Sequence, residues 1–307
     1  MTDYNDLIDR FFEFDNNKVA VVRKTTGWYS FDRAFANFQG DIGLPMTFIE
    51  ISGANHVGKS TLAYSLAGRL NLGMVLCDFE SFDPSYAALI LAKQGCQVKN
   101  RVLPVVDDEK ALEQMVALLR EEQYNLGVVD SVGAISPVSE REGHLGEARM
   151  GRRAQLMAQL SRRVAKLNVE MPGKAVIAIN HRLRKLDAYG GMYTPGGDVK
   201  DYLYRVRMVL KRKEEFEDGS YIVEGQIIKN SFGYRKRNFW LFVLVGYGVH
   251  AGLTAMFDCF LFGKAERGRI VKMGDQKFGY LKNLIKAAKE GKNEVFQPFI
   301  EALRHDG

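Results

Sequence analysis

Cysteine is scarce in this chain: 3 among 307 residues, at Cys77, Cys96 and Cys259. An odd number of widely separated thiols in apolar surroundings fits neither a disulfide framework nor a zinc site, and reads as reduced core residues. Proline is also sparse, at 7 residues, which excludes a proline-rich or low-complexity chain. No apolar run approaches the ~18–20 residues that cross a bilayer. Residues 1–14 carry acidic side chains where a secretory leader is basic. No membrane partner is expected, and the expected compartment is the cytoplasm.

What is present supports an ordinary core. Hydrophobic residues make up 46% and charged residues 26%, enough for one large α/β domain with an appendage, or two ordinary domains. The net charge of +6 conceals an asymmetry: residues 141–213 hold 17 Lys and Arg against 6 Asp and Glu, and residues 264–307 hold 10 against 6. The remainder is therefore net acidic. A basic run can be a solvated helix face, but here the Arg and Lys residues also occupy Gly-rich loops, which favours a polyanionic partner.

Hydrophobic periodicity predicts an alternation of strands and helices. Residues 46–52 (MTFIEIS) form a near-continuous apolar run of the kind found in buried parallel strands. Further strands are predicted at 73–78, 102–106, 126–130 and 175–179, and helices at 59–72, after Pro84, at 108–122 and at 151–169. Such spacing implies a mostly parallel sheet flanked by helices. Beyond Asp201, segments 206–211, 221–229 and 239–245 surround an Asp218-Gly219 turn signal, which predicts an antiparallel extension. A short amphipathic helix is expected over residues 4–14, and helical structure over 278–304.

Between the first buried strand and the first long helix lies Gly53-Ala54-Asn55-His56-Val57-Gly58-Lys59-Ser60, followed by Thr61. The pattern G-x-x-x-x-G-K-[ST] in a strand–loop–helix setting is a phosphate-binding loop. Its backbone N–H groups curl around phosphate oxygens, Lys59 reaches the terminal phosphates, and Ser60 is a Mg²⁺ ligand. Leu126-Gly127-Val128-Val129-Asp130 is an apolar strand ending in a carboxylate, which suits Asp130 to support the same ion. ATP and Mg²⁺ are the expected cofactors.

Two further positions suggest hydrolysis. Glu80, after the strand at 73–78, is placed to orient or deprotonate water; the same position also suits a surface glutamate that opens a turn. His181 follows an apolar strand, where a polar side chain can sense a terminal phosphate or simply cap the strand.

The ordered set of motifs resembles the RecA recombinases. It runs from Thr26-Gly27 and Gly43-Leu44-Pro45-Met46 through the phosphate loop, Asp78-Phe79-Glu80, Asp83-Pro84-Ser85-Tyr86 and Val128-Val129-Asp130-Ser131. It continues through Glu142-Gly143, Met150-Gly151, Ile179-Asn180-His181, Thr194-Pro195-Gly196-Gly197, Lys229-Asn230 and Gly246-Tyr247-Gly248. The resemblance spans roughly residues 26–250. It implies a RecA-like P-loop ATPase that assembles head to tail on single-stranded DNA, engages duplex DNA, and catalyses homologous pairing and strand exchange.

Carried over by position, the resemblance makes Glu80 the catalytic glutamate, Tyr86 an adenine-stacking aromatic, and Lys229 a lysine reaching the neighbouring subunit's ATP. Gly246 joins the nucleotide-binding set, and Lys59 and His181 the catalytic one. Residues 140–151 correspond to a first DNA-binding loop and 182–196 to a second. Met150 and Leu186 align with wedges inserted between base triplets, and Arg162 with a phosphate-contacting arginine. Arg149, Gly151, Arg152, Arg153, Arg182, Arg184, Lys185, Gly196 and Gly197 complete the implied DNA-binding set. The implied division is an N-terminal oligomerisation segment (1–35), an ATPase core (36–250) and a small C-terminal domain (251–307). Single-strand-binding and mediator proteins are implied partners.

Departures from the family pattern point to a divergent member. His181 stands where bacterial RecA has glutamine, whereas UvsX-type recombinases of T-even phages look similar here. Ser231 replaces a second interface lysine, Gln155 a DNA-binding arginine, and Asp198 an asparagine. A phage-encoded member in an infected host's cytoplasm fits these changes as well as a bacterial one. Two other readings stay open: a RecA-fold ring helicase, and a DNA-dependent regulatory ATPase without strand exchange.

Overall fold

The run at 46–52 forms strand β1 (Phe48–Gly53), and all six of its residues are buried. Burial on both faces is the signature of an interior parallel strand. The computed structural model describes residues 21–80, 83–136, 152–184, 192–193 and 200–304. The expected helix at 4–14 lies outside them.

Eight more strands complete the main sheet: β2 (Met74–Asp78), β3 (Arg101–Leu103), β4 (Leu126–Asp130), β5 (Ala175–His181), β6 (Val206–Glu215), β7 (Tyr221–Asn230), β8 (Asn238–Leu244) and β9 (Gly248–Val249). Their spatial order is β9-β8-β7-β6-β1-β5-β4-β2-β3. Pairings from β6 to β3 are parallel, and those from β6 to β9 are antiparallel. The expected antiparallel extension thus continues the same sheet. β3 is shorter than the expected 102–106 because Pro104, without an N–H, cannot carry the ladder onward.

Helices cover both faces. On one lie α1 (Tyr29–Ala34), α2 (Lys59–Arg69) and α3 (Pro84–Lys93), whose Phe31, Leu62 and Ile90 share an apolar cluster with Ile49, Ile51 and Met208. On the other, α4 (Asp108–Leu118) and α5 (Arg152–Glu170) bury Met115, Leu160 and Val164 against Val75, Val129 and Val176. Asp83 starts α3 by accepting hydrogen bonds from the N–H groups of Ser85 and Tyr86, with Pro84 at the first helical position.

The third cluster gathers α6 (Ala251–Leu261), α7 (Leu281–Lys289) and α8 (Gln297–Arg304) against Ile222, Phe242 and Leu244 of the sheet. The stretch expected to be helical over 278–304 is broken at Gly291, whose φ of +78° is left-handed. Its first residues instead close a three-stranded sheet (Glu266–Arg267, Val271–Met273, Gln276–Gly279). Those strands are too short and polar to show alternation. Cys77 and Cys259 are buried core residues, but Cys96 is only half-buried, since it follows the end of α3. Among the described residues no helix is long and apolar enough to cross a membrane.

Candidate active site

Parallel strands bring their C-terminal ends to one edge, and there a cleft of about 540 Å³ opens beside the phosphate loop. The loop turns sharply because His56 and Gly58 adopt positive φ, at 58° and 92°. A Cβ on Gly58 would lie 2.7 Å from the Tyr221 hydroxyl, so only glycine fits. Gly58 caps α2, whose first turn carries Lys59, Ser60 and Thr61 with their N–H groups at the cleft.

Lys59 is buried, and its Nζ donates to the carbonyl oxygens of Ala54 (2.8 Å) and Gly53 (3.4 Å). Burial lowers its pKa, and the charges of Asp130 and Glu80 act against that shift. Ser60 Oγ donates to Asp130 Oδ2 at 2.6 Å. Burial pushes the Asp130 carboxyl up to about 6; the Ser60 hydrogen bond opposes this, while Glu80 and Asp78 reinforce it. A buried carboxylate beside two others is a site that gains from a cation. Among the described residues no cluster of three or more His, Cys, Asp or Glu is arranged to hold a metal alone. A hydroxyl–carboxylate pair therefore fits Mg²⁺ shared with a nucleotide's phosphates rather than an all-protein cage.

Glu80 and His181 meet at the cleft from β2 and β5. His181 Nε2 lies 2.7 Å from Glu80 Oε1, and Ser131 Oγ donates to the same oxygen at 2.5 Å. On its other side, His181 Nδ1 lies 3.5 Å from Lys59 Nζ. An ammonium only donates, so Nδ1 accepts and the Nε2–H donates to Glu80. Burial alone would raise the Glu80 carboxyl; hydrogen bonds from Ser131 and His181, with the Lys59 charge, hold it below the ordinary range. Glu80 is therefore ionised at neutral pH.

Beneath this pair lies a buried polar chain. Asn180 Nδ2 donates to Glu50 Oε1 at 3.1 Å, and Arg207 Nε donates to Glu50 Oε2 at 2.7 Å. The His181 N–H donates to Asn180 Oδ1 at 3.0 Å, and the Arg182 N–H to the Gly53 carbonyl at 3.0 Å. The segment beginning at Arg182 is thus tied directly to the phosphate loop.

The remaining expected residues divide by position. Asn55, His56 and Tyr86 line the cleft, and the Tyr86 hydroxyl lies 2.8 Å from Thr61 Oγ1. Val57 turns into the core. Gly246 (φ +73°) and Lys229 are outside the cleft wall; Lys229 sits opposite Arg207 in the β6–β7 ladder. Arg152 and Arg162 are exposed on α5, whereas Arg153 Nε donates to the Ile135 carbonyl at 2.8 Å. Arg184 lies in a short strand, Leu183–Arg184. Arg149, Met150, Gly151, Lys185, Leu186, Gly196 and Gly197 lie outside the described residues. Sequence reasoning missed Arg212 and Tyr221 in the cleft wall; both arrive from distant strands, and no short motif marks them.

Comparison with known proteins agrees with this geometry. The RecA N-terminal domain profile matches residues 11–241. Protein RecA of Acinetobacter baumannii (strain ATCC 17978) is 30% identical over 299 residues, covering 94% of this chain and 80% of the relative. Protein RecA of Acinetobacter baylyi (strain ADP1) is 30% identical over 295 residues, covering 92% and 79%. Protein RecA of Mannheimia haemolytica is 29% identical over 247 residues, covering 76% and 65%. With a phosphate loop, its acidic strand and this extent of similarity, the chain belongs to the RecA family.

Proposed function

We propose that this protein is an ATP-dependent DNA recombinase that forms filaments on single-stranded DNA and exchanges strands with a homologous duplex. The observation that carries the reading is the convergence of Lys59, the Ser60–Asp130 pair and the Glu80–His181 pair on one cleft, with Arg182 bonded to the phosphate loop. The loop's N–H groups and Lys59 bind the phosphates, and Tyr86 packs on the base. Ser60 and Asp130 hold Mg²⁺, which supplies charge neutralisation at the phosphates. Ionised Glu80, steadied by Ser131 and His181, orients the attacking water and accepts its proton at the carboxylate.

The DNA contacts in this reading come from residues 140–151 and 182–196, with Gly197 and with Arg152 and Arg162 on α5. Phosphate neutralisation there makes binding steeply salt dependent. Lys229 reaches the nucleotide of the adjoining subunit, a heterologous contact that propagates as an open helix. The reading includes the division into residues 1–35, 36–250 and 251–307, a cytoplasmic setting, and encounters with single-strand-binding and mediator proteins. The decisive experiment is strand exchange between circular single-stranded and linear duplex DNA with ATP, alongside Lys59→Ala. Joint molecules with the wild type and none with the variant are expected. ATP hydrolysis without exchange, on closed rings in electron micrographs, returns the helicase reading.

A further inference from the structure

Arg212 reaches the phosphate loop through strand register. Leu210 of β6 pairs with Gly53, the first residue of the loop. Met208 and Leu210 are buried in the cluster that packs on α2, and the two-residue period of a strand directs position 212 toward the same face. Arg212 therefore emerges just past the end of the β1 pairing, beside the loop. A register shift against β7 between Arg212 and Glu214 bends the strand at this point.

The side chain is held there by three contacts. Its guanidinium carbon lies 3.9 Å from the centroid of the Tyr221 ring. One terminal nitrogen donates to the carbonyl of His56, within the phosphate loop. The other donates to Glu215 Oε2 at 2.7 Å. Tyr221 is mostly buried, with its hydroxyl near Gly58, so the platform beneath the guanidinium is rigid. A pre-positioned, stacked arginine loses little freedom when it captures an anion.

Charge in the cleft gives this arginine a use. Among the described residues lining it, Lys59 and Arg212 are the permanent cations, set against Asp78, Glu80, Asp83 and Asp130. A nucleoside polyphosphate brings further negative charge into that acidic wall. Arg212's carboxylate partner is loosely held: the Glu215 side chain is 56% exposed, and surface ion pairs of this kind add little to stability. The buried pair of Glu50 with Arg207, five positions earlier on the same strand, has no such freedom.

We propose that Arg212 is a ligand for the nucleotide's phosphates, supplied by the same subunit that supplies the phosphate loop, and that a phosphate oxygen takes the place of Glu215 on its guanidinium. The assignment rests on the nucleotide reading of the cleft. A bidentate guanidinium at the loop's outer edge complements the buried Lys59 ammonium, so the polyphosphate is held from both sides.

The experiment is calorimetric titration of the full chain with Mg·ATP, without DNA, for wild type, Arg212→Gln, Arg212→Lys, Glu215→Gln and Lys59→Ala. Arg212→Gln weakens ATP binding 10-fold or more and flattens its salt dependence, and Arg212→Lys restores part of the loss. Glu215→Gln, an exposed change that spares the fold, tightens binding about 2- to 5-fold because the competitor is gone. ATP affinity within 2-fold of wild type in Arg212→Gln overturns the proposal, as does weaker binding in Glu215→Gln. Unchanged binding in Lys59→Ala instead overturns the phosphate-loop reading, while the Arg212 ratios are still judged on their own.

Discussion

Glu80 Oε1 accepts a hydrogen bond from His181 Nε2 at 2.7 Å, joining residues 101 positions apart in the chain. The pair links the end of the strand that precedes Glu80 to the strand that leads into the segment beginning at Arg182. Because His181 Nδ1 faces Lys59, one imidazole touches both the Lys59 ammonium and the Glu80 carboxylate. In the proposed reading, a change in phosphate occupancy would be felt where that segment begins.

Replacing Glu80 by glutamine keeps a carbonyl oxygen to accept from Ser131 and His181, so the local geometry survives. What is lost is the charge and the capacity to take a proton. Hydrolysis in Glu80→Gln falls by roughly 10²–10⁴-fold with ATP affinity nearly unchanged. Steady-state turnover with a parallel nucleotide titration checks this, and an unchanged rate returns Glu80 to a surface role.

His181→Ala removes the bridge between Lys59 and Glu80. An ATP analogue that resists hydrolysis tightens single-stranded DNA binding in the wild type, and by reciprocity DNA tightens nucleotide binding by the same factor. In the variant both enhancements shrink together, leaving weak, salt-sensitive DNA binding. Fluorescence titrations with and without the analogue read the factor directly; equal factors in both proteins make His181 a structural cap.

Glu50 is fully buried between Asn180 and Arg207. Glu50→Leu takes the carboxylate away from the Arg207 guanidinium in the core, and broken buried pairs of this kind cost about 3–5 kcal/mol. Urea unfolding measures the loss. Glu50→Leu combined with Arg207→Met recovers most of it, since no uncompensated charge is then buried.

Asp258 of α6 is buried, with Oδ2 accepting from the Ser30 N–H at 3.0 Å and Oδ1 lacking a partner among the described residues. Burial pushes its carboxyl up to about 7. In the unfolded chain an aspartate titrates near ~3.9. The folded form thus holds a proton that unfolding releases, so this group's contribution to stability declines as pH rises from about 4 to about 7. Asp258→Asn flattens the melting-temperature profile across that window; an unaltered slope shows that Asp258 does not titrate there.

Much of the site was legible because its parts are local. The phosphate loop needs its glycine, lysine and serine within eight residues. Asp130 closes a five-residue apolar strand, and Asp83-Pro84 announces a helix start. Apolar runs located the strands because a strand buried on both faces carries few polar residues. Element ends were less legible: Pro104 cut one strand short, and Gly291 split the last helical stretch.

Other parts depend on contacts that no window of sequence contains. The order β9-β8-β7-β6-β1-β5-β4-β2-β3 is set by crossovers and packing on both faces, and only that order places β6 against β1. From it follow the Glu50–Arg207–Asn180 chain, the Glu80–Ser131–His181 cluster, and the seat of Arg212 on Tyr221 at the phosphate loop. A side chain's type and period are properties of its neighbours in sequence. Its hydrogen-bond partner is fixed by strand register, which long-range burial decides.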